Sequence, residues 1–370
     1  MMRPRERLET VLRGGIPDRV PFYPVLRFWW EQQEEKKALP EIWREERGLV
    51  RLHADMQAGI YWPPENQWLP MYSQCSEKRT WHGLDRITEY ETPVGCLNRV
   101  ERLLPESQCW APVLWPVKSR EDLRVLRYFA ADRRFLPDQD SFHSVVQMWG
   151  DNGIPLLLPP TRSPICALVY EWTGVEALSY LLADFPREVE ATLKVLDEAD
   201  NSIFETLCRW PNGQIVEFND NLSSEVMTGL IRRFGKDNYA RRIESLHAAG
   251  KFVSVHIDGT LKGLLELFGQ LGFDCAEGIT PQPTGDVDIK DLRSLAGPRI
   301  VLWGGLPGAT FSPTFPEEDF RHVVLHAIDV CRRDPRFILG IGDILPPDGI
   351  LDRVKWVGEL VESEGEYQKR

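Results

Sequence analysis

The chain has 370 residues, a net charge of −12 and 27% charged side chains. That length accommodates one large domain or two ordinary ones with a sizeable core, and needs no disulfide staple. The acidic balance excludes a nucleic-acid partner, because binding to a phosphate backbone draws its affinity from clustered Lys and Arg. Seven cysteines are scattered without a CxxC pair, which predicts reduced thiols and a cytoplasmic protein. The charged opening "MMRPRERLETVLRGG" is not a signal peptide. No uninterrupted apolar run approaches the roughly 20 residues of a membrane span, so no membrane role is expected.

In chain order, "RVPFYPVLRFWW" (19–30) is the first strand-like run. Residues 30–150 read as an irregular, tryptophan-rich elaboration of a single domain spanning 1–370. Eight of the 13 tryptophans fall before residue 120. Core packing takes most of them, since aromatics bury large apolar area wherever they sit. From about residue 150 short β-branched or leucine runs alternate with longer amphipathic segments, the pattern of βα units with parallel strands. Strands are predicted at 154–160, 213–218, 251–257, 273–279, 299–305 and 336–342. Helices are predicted at 174–185, 186–210, 236–250, 263–272, 288–297, 316–333 and 348–363, the second of them opened by Pro186. This regularity favours a closed (β/α)8 barrel, a TIM barrel, over an open sheet.

In such a barrel the chemistry gathers where the strands end. "KFVSVHIDG" ends in His256 and Asp258, "FDCAEGITP" in Glu277, and "RFILGIGDILPP" in Asp343. "QIVEFND" ends in Glu217, Asn219 and Asp220. Residues two apart in a strand share a face, so His256 and Asp258 can present an imidazole and a carboxylate to one point, as metal ligands do. Each has a plainer use: Asp258 as the cap of the next helix, Asp343 as the residue that positions the turn into "LPPDG". Glu277 is harder to explain without a partner, because ionised carboxylates are rarely buried alone.

The opening "RPRERLETVLRGGIPDRVPF", "LADFPREVEATL", "HIDG", "AEGITPQPTGDVDI" and the closing "GIGDILPPDGILDRVKWV" together resemble the uroporphyrinogen decarboxylase superfamily. That superfamily also contains zinc-dependent, corrinoid-linked methyltransferases. The resemblance covers nearly the whole chain and implies a (β/α)8 barrel. The methyltransferase branch carries zinc on a His-x-Cys pair, a later carboxylate in some members, and a distant Cys in a Cys-Gly-x-Pro-Pro turn. Here His256 is kept, Asp258 stands where the first Cys would be, Glu277 falls near the carboxylate, and Asp343 stands where the last Cys would be. The resemblance therefore implies a Zn²⁺ site on His256, Asp258, Glu277 and Asp343, with both thiolates replaced by carboxylates. "RFWWEQQ" occupies the place of the decarboxylase's Arg-rich segment, so uroporphyrinogen decarboxylation is not expected.

One imidazole and up to three carboxylates make a harder site than one built on thiolates. Such a site suits the departure of a methyl group from oxygen. The chain has no corrinoid-binding Asp-x-His-x-x-Gly segment, so the resemblance implies a corrinoid carried by a partner protein. The expected activity is a metal-dependent methyltransferase that moves a methyl group from a small methoxylated, aromatic compound to that Co(I) corrinoid, an O-demethylase. Trp29 and Trp30 are candidates to stack on the ring, with Glu217 and Asn219 beside them. Two alternatives stay open: another enzyme of the superfamily, a decarboxylase or a thiol-directed methyltransferase using Cys275, and a barrel without catalytic function.

Overall fold

The structure, a computed structural model, describes residues 2–45, 47–105 and 109–368; residues 46 and 106–108 of the expected elaboration lie outside these. Twelve strands occur among the described residues: β1 Trp68–Met71, β2 Ser76–His82, β3 Asp85–Thr92, β4 Gly95–Leu104, β5 Cys109–Leu114, β6 Arg134–Pro137, β7 Leu156–Leu157, β8 Ile215–Leu222, β9 Phe252–Ile257, β10 Cys275–Ile279, β11 Val301–Pro307 and β12 Phe337–Gly342. The last six form one curled parallel sheet in the order β12-β11-β10-β9-β8-β7, a TIM-barrel-like arrangement. Each begins as a largely apolar run, β8 turning polar in its second half, with helices between it and the next. Two more extended segments bond to this sheet. Phe22 bridges Leu339 of β12 in parallel, and Ile60 bridges Gly153 just before β7. Gly59 N–H donates to Phe22 O, and Leu156 N–H to Trp62 O.

The helices match their predicted spans closely, with two exceptions; the segment 288–297 is a 3-10 turn, Ile289–Asp291, followed by a short helix, Leu292–Ala296. The segment 186–210 is two helices, Pro186–Ala199 and Asn201–Arg209, joined at Asp200. Asp200 is 6% exposed and accepts a hydrogen bond from Thr161 Oγ1 at 3.0 Å. The helical stretch Pro164–Asp184 is, by length and composition, long and apolar enough to cross a membrane, which the sequence reading did not anticipate. Within it Leu168, Val169 and Trp172 belong to the main apolar cluster. It packs as a core helix.

The opening motif explains itself structurally. Arg7 Nε donates to Asp18 Oδ1 at 2.7 Å, and Glu362 of the last helix pairs with Arg7 at 3.3 Å and with Arg19 at 2.8 Å. The guanidiniums thus clasp the two ends of the chain just before the first extended segment, at the amino-terminal end of the sheet, the end where a barrel's polar contacts serve stability and not chemistry.

Residues 30–150 are more ordered than expected. β2-β3-β4-β5 form an antiparallel sheet, and β1 pairs with β6. A two-residue loop joins β2 to β3 with Gly83 at φ +62°, the left-handed conformation a tight hairpin demands. The helix Arg120–Asp132 covers the sheet: its Phe129 ring meets Tyr90 at 5.1 Å, and Tyr90 meets Trp172 at 5.1 Å. Insertion and parallel sheet therefore share one apolar cluster.

Candidate active site

His256 and Glu277 meet because β9 and β10 run parallel with the two residues opposite each other in register. Neighbouring strands lie about 4.8 Å apart, so side chains on the same face touch. His256 Nδ1 lies 2.5 Å from Glu277 Oε2, and Tyr61 O–H donates to Glu277 Oε1 at 2.5 Å. Both oxygens of this buried carboxylate are therefore satisfied, which answers the question its sequence context raised. With Glu277 as acceptor, Nδ1 carries a proton and Nε2 is left facing Asp343 Oδ1 at 3.6 Å. One layer deeper, Glu217 of β8 stands opposite Ser254 of β9, whose hydroxyl donates to Glu217 Oε2 at 3.1 Å.

Gly278 makes the close packing possible. It sits at φ +80°, and a Cβ there would lie 2.4 Å from Ile257 O and 3.1 Å from His256 Cε1. Only glycine fits both the conformation and the space.

The electrostatics follow from this crowding. Burial disfavours the imidazolium of His256, but the Glu277, Asp343 and Glu217 carboxyls outweigh it and push its pKa up to about 10. Burial, reinforced by Glu277, raises Glu217 to about 8. Asp343 is raised to about 6, again chiefly by burial, with His256 opposing. These shifts favour a protonated His256 and a protonated Glu217 at neutral pH.

These groups line a cavity of about 260 Å³. Phe28, Tyr61 and Trp62 form its aromatic wall, and Arg162, Asn219 and Asn221 its polar rim. Arg162 is already engaged: it donates to Asn219 O, and to Asn221 Oδ1 at 3.1 Å, and lies 3.5 Å from Glu171.

Of the residues singled out from sequence, His256, Glu277, Asp343, Glu217 and Asn219 come together here. Asp258 does not join them. β9 ends at Ile257, the Asp258 N–H bonds to Leu222 O, and its exposed carboxylate accepts from Asn221 Nδ2 at 3.3 Å; the two-residue alternation fails once the strand has ended. Trp29 and Trp30 lie outside the cavity lining, their indole N–H groups donating to Gly349 O and Trp43 O. Cys275 is buried beneath the site in an apolar cluster with Val301 and Trp303, and burial pushes its thiol well above the usual range. Asp220 is fully buried and structural, accepting from Ser163 N–H at 2.8 Å and Tyr239 O–H at 2.6 Å. Tyr61 and Arg162 escaped the sequence reading, and Trp62 figured there only among the eight early tryptophans. "AGIYWPP" (58–64) is a short apolar run bounded by Gly and Pro, a strand signal within a region treated as irregular.

The donors do not assemble into the ligand shell that the superfamily resemblance implies. Glu277 is saturated by Tyr61 and His256, Asp258 lies outside this cavity's lining with its carboxylate on Asn221, and His256 Nε2 and Asp343 face each other across the cavity. Among the described residues no group of three His, Cys, Asp or Glu side chains is placed to hold a metal ion. The arrangement is a hydrogen-bonded relay, Tyr61 to Glu277 to His256.

The chain is similar in fold to a methyltransferase from Methanosarcina mazei. The two superpose with a TM-score of 0.61 over 98% of this chain and 99% of that one, at 14% sequence identity. A D-psicose 3-epimerase covers 65% of the chain with a TM-score of 0.33 and 8% identity, too distant to carry an argument. No protein-family model matches the sequence, and no curated protein matches it. A likeness at 14% identity establishes a shared fold over the full length.

Proposed function

We propose that the protein is a cytoplasmic methyltransferase of the uroporphyrinogen decarboxylase superfamily that removes a methyl group from a small methoxylated aromatic compound. The extended segments at Phe22 and Ile60 are read as the two staves that complete a (β/α)8 barrel. The observation that carries the activity is the buried Tyr61–Glu277–His256 relay, which opens into an aromatic-walled cavity at the carboxyl ends of the strands. The full-length likeness to a methyltransferase supports it.

The chemistry follows from the proton on His256. As the bond between methyl carbon and oxygen breaks, the leaving oxygen gains negative charge, and a positioned acid that gives it a proton lowers the barrier. Glu277 fixes the tautomer and stabilises the imidazolium, and Tyr61 holds Glu277 in place, so that Nε2 presents its proton to the cavity. A corrinoid in the Co(I) state, brought by a partner protein, is the acceptor substrate and supplies the electron pair that takes the methyl group. The ether loses a methyl cation and gains a proton, leaving a phenol. Zinc would have only His256 Nε2 and Asp343 to hold it, too few donors for a resident ion, and no step here depends on it.

Two rivals are less well supported. A thiol-directed reaction using Cys275 conflicts with the burial of that sulfur. Uroporphyrinogen decarboxylation needs free cations for several carboxylates, whereas Arg162 is engaged and the cavity is small. The test supplies Co(I) cobalamin, or a candidate carrier protein, with a panel of methoxyphenols, methoxybenzoates and methylamines. At least one class of methoxylated aromatic is expected to give the absorbance of the methylated corrinoid; transfer from methylamines or to thiols alone contradicts the reading. Metal analysis of the same preparation is expected to find well under one zinc per chain.

A further inference from the structure

Glu217 is the one buried acid in the cavity that the reaction leaves idle. It is 6% exposed, and Ser254 occupies only its Oε2. Oε1 has no hydrogen-bond partner among the described residues and faces the cavity. That oxygen is not among the fully buried unpartnered atoms, so it is open to the cavity, where a ligand hydroxyl can take the place of water. Its depth is set by register: Glu217 stands opposite Ser254, two residues before His256 on β9, so it lies one side-chain layer, roughly 6–7 Å along the strand, below the relay. A substrate whose methoxy oxygen meets His256 therefore points its far end at Glu217.

The charges around that far end decide what can go there. Glu217, Glu277 and Asp343 are acids, Arg162 is paired with Glu171, and His256 sits between Glu277 and Asp343. No unengaged cation lines the cavity among the described residues. A substrate carboxylate would be buried beside acids with no counter-ion, whereas a neutral hydroxyl both donates to and accepts from a carboxyl.

We propose that Glu217 is a specificity-determining residue that hydrogen-bonds a neutral hydroxyl across the ring from the methoxy group, so that the substrate is a single-ring methoxyphenol and not a methoxybenzoate. This rests on the aromatic-ether reading, yet binding tests it separately from transfer. The full chain is titrated calorimetrically with 4-methoxyphenol, methoxybenzene, 4-methoxybenzoate and hydroquinone, the demethylated product. The two phenols are expected to bind, with methoxybenzene at least about tenfold weaker and the benzoate weaker still. In Glu217→Leu the preference for phenol over methoxybenzene should vanish, and in Glu217→Gln, which keeps a donor and an acceptor, most of it should remain. Equal binding of methoxybenzene and 4-methoxyphenol, tighter binding of the benzoate, or no binding of any phenol overturns the proposal. Glu217-dependent phenol binding without methyl transfer upholds it and defeats the reading of the reaction instead.

Discussion

Tyr61 shows how much a single hydroxyl contributes at this site. Its O–H is the second of the two hydrogen bonds that satisfy Glu277, which is 3% exposed. Tyr61→Phe leaves Glu277 Oε1 buried without a partner, at a cost of about 1–3 kcal/mol. The expected outcome is a matching loss in denaturant unfolding and a tenfold or greater fall in the transfer rate at saturating donor, with little change in donor binding. An unaltered rate would show that Glu277 needs no support. The same residues mark what sequence could and could not tell. Strand alternation was enough to place His256 and Glu277, because both lie inside strands. It misled for Asp258, one residue past the strand end, and nothing in the chain signals that Trp29 and Trp30 spend their indole N–H groups on Gly349 and Trp43 carbonyls.

At the scale of elements, the break between the helices Pro186–Ala199 and Asn201–Arg209 yields a pH prediction. Burial raises Asp200 to about 7, with the Thr161 hydrogen bond opposing, whereas an unfolded Asp titrates near 3.9. Between those values the folded chain holds a proton that the unfolded chain has released. Stability from this group is therefore fully present below about pH 4 and declines as pH rises to about 7. Asp200→Asn, which can still accept from Thr161, should match the wild type near pH 4 and exceed it by about 2–4 kcal/mol at pH 8. Chemical unfolding of both proteins at the two pH values checks this; a difference that does not change with pH would contradict it. The parallel strands after residue 150 were legible because each begins as an apolar run between helices. β2 to β5 were not: their exposed faces carry charged residues, and half-buried alternation in short strands is a weak signal.

For the whole molecule, polar contacts divide between the two ends of the parallel sheet. Asp18, at the amino-terminal end, receives both Arg7 Nε at 2.7 Å and Arg7 Nη2 at 3.2 Å. Asp18→Ala leaves a nearly buried guanidinium half-paired and should cost about 2–3 kcal/mol in unfolding experiments while transfer activity at moderate temperature is unchanged. A rate that falls in step with stability would link the clasp to the site. The motifs that most resemble the superfamily thus serve opposite purposes: the opening one ties the chain ends together, and the later ones deliver His256, Glu277 and Asp343 to the cavity. The resemblance implied the order of strands and helices after residue 150, and the structure brings His256, Glu277 and Asp343 into one cavity. The resemblance did not convey how the donors pair, because that depends on Tyr61, which arrives from a segment without a motif.

In the proposed reaction His256 acts as the acid of the relay. The most direct measurement is the single-turnover rate of methyl transfer from 4-methoxyphenol to Co(I) cobalamin, read from the absorbance of the methylated corrinoid, in wild type and in His256→Ala at saturating donor. A loss of about 10²–10⁴-fold is expected, with the fold and phenol binding retained. A variant that transfers methyl at the wild-type rate while binding the phenol normally would contradict it.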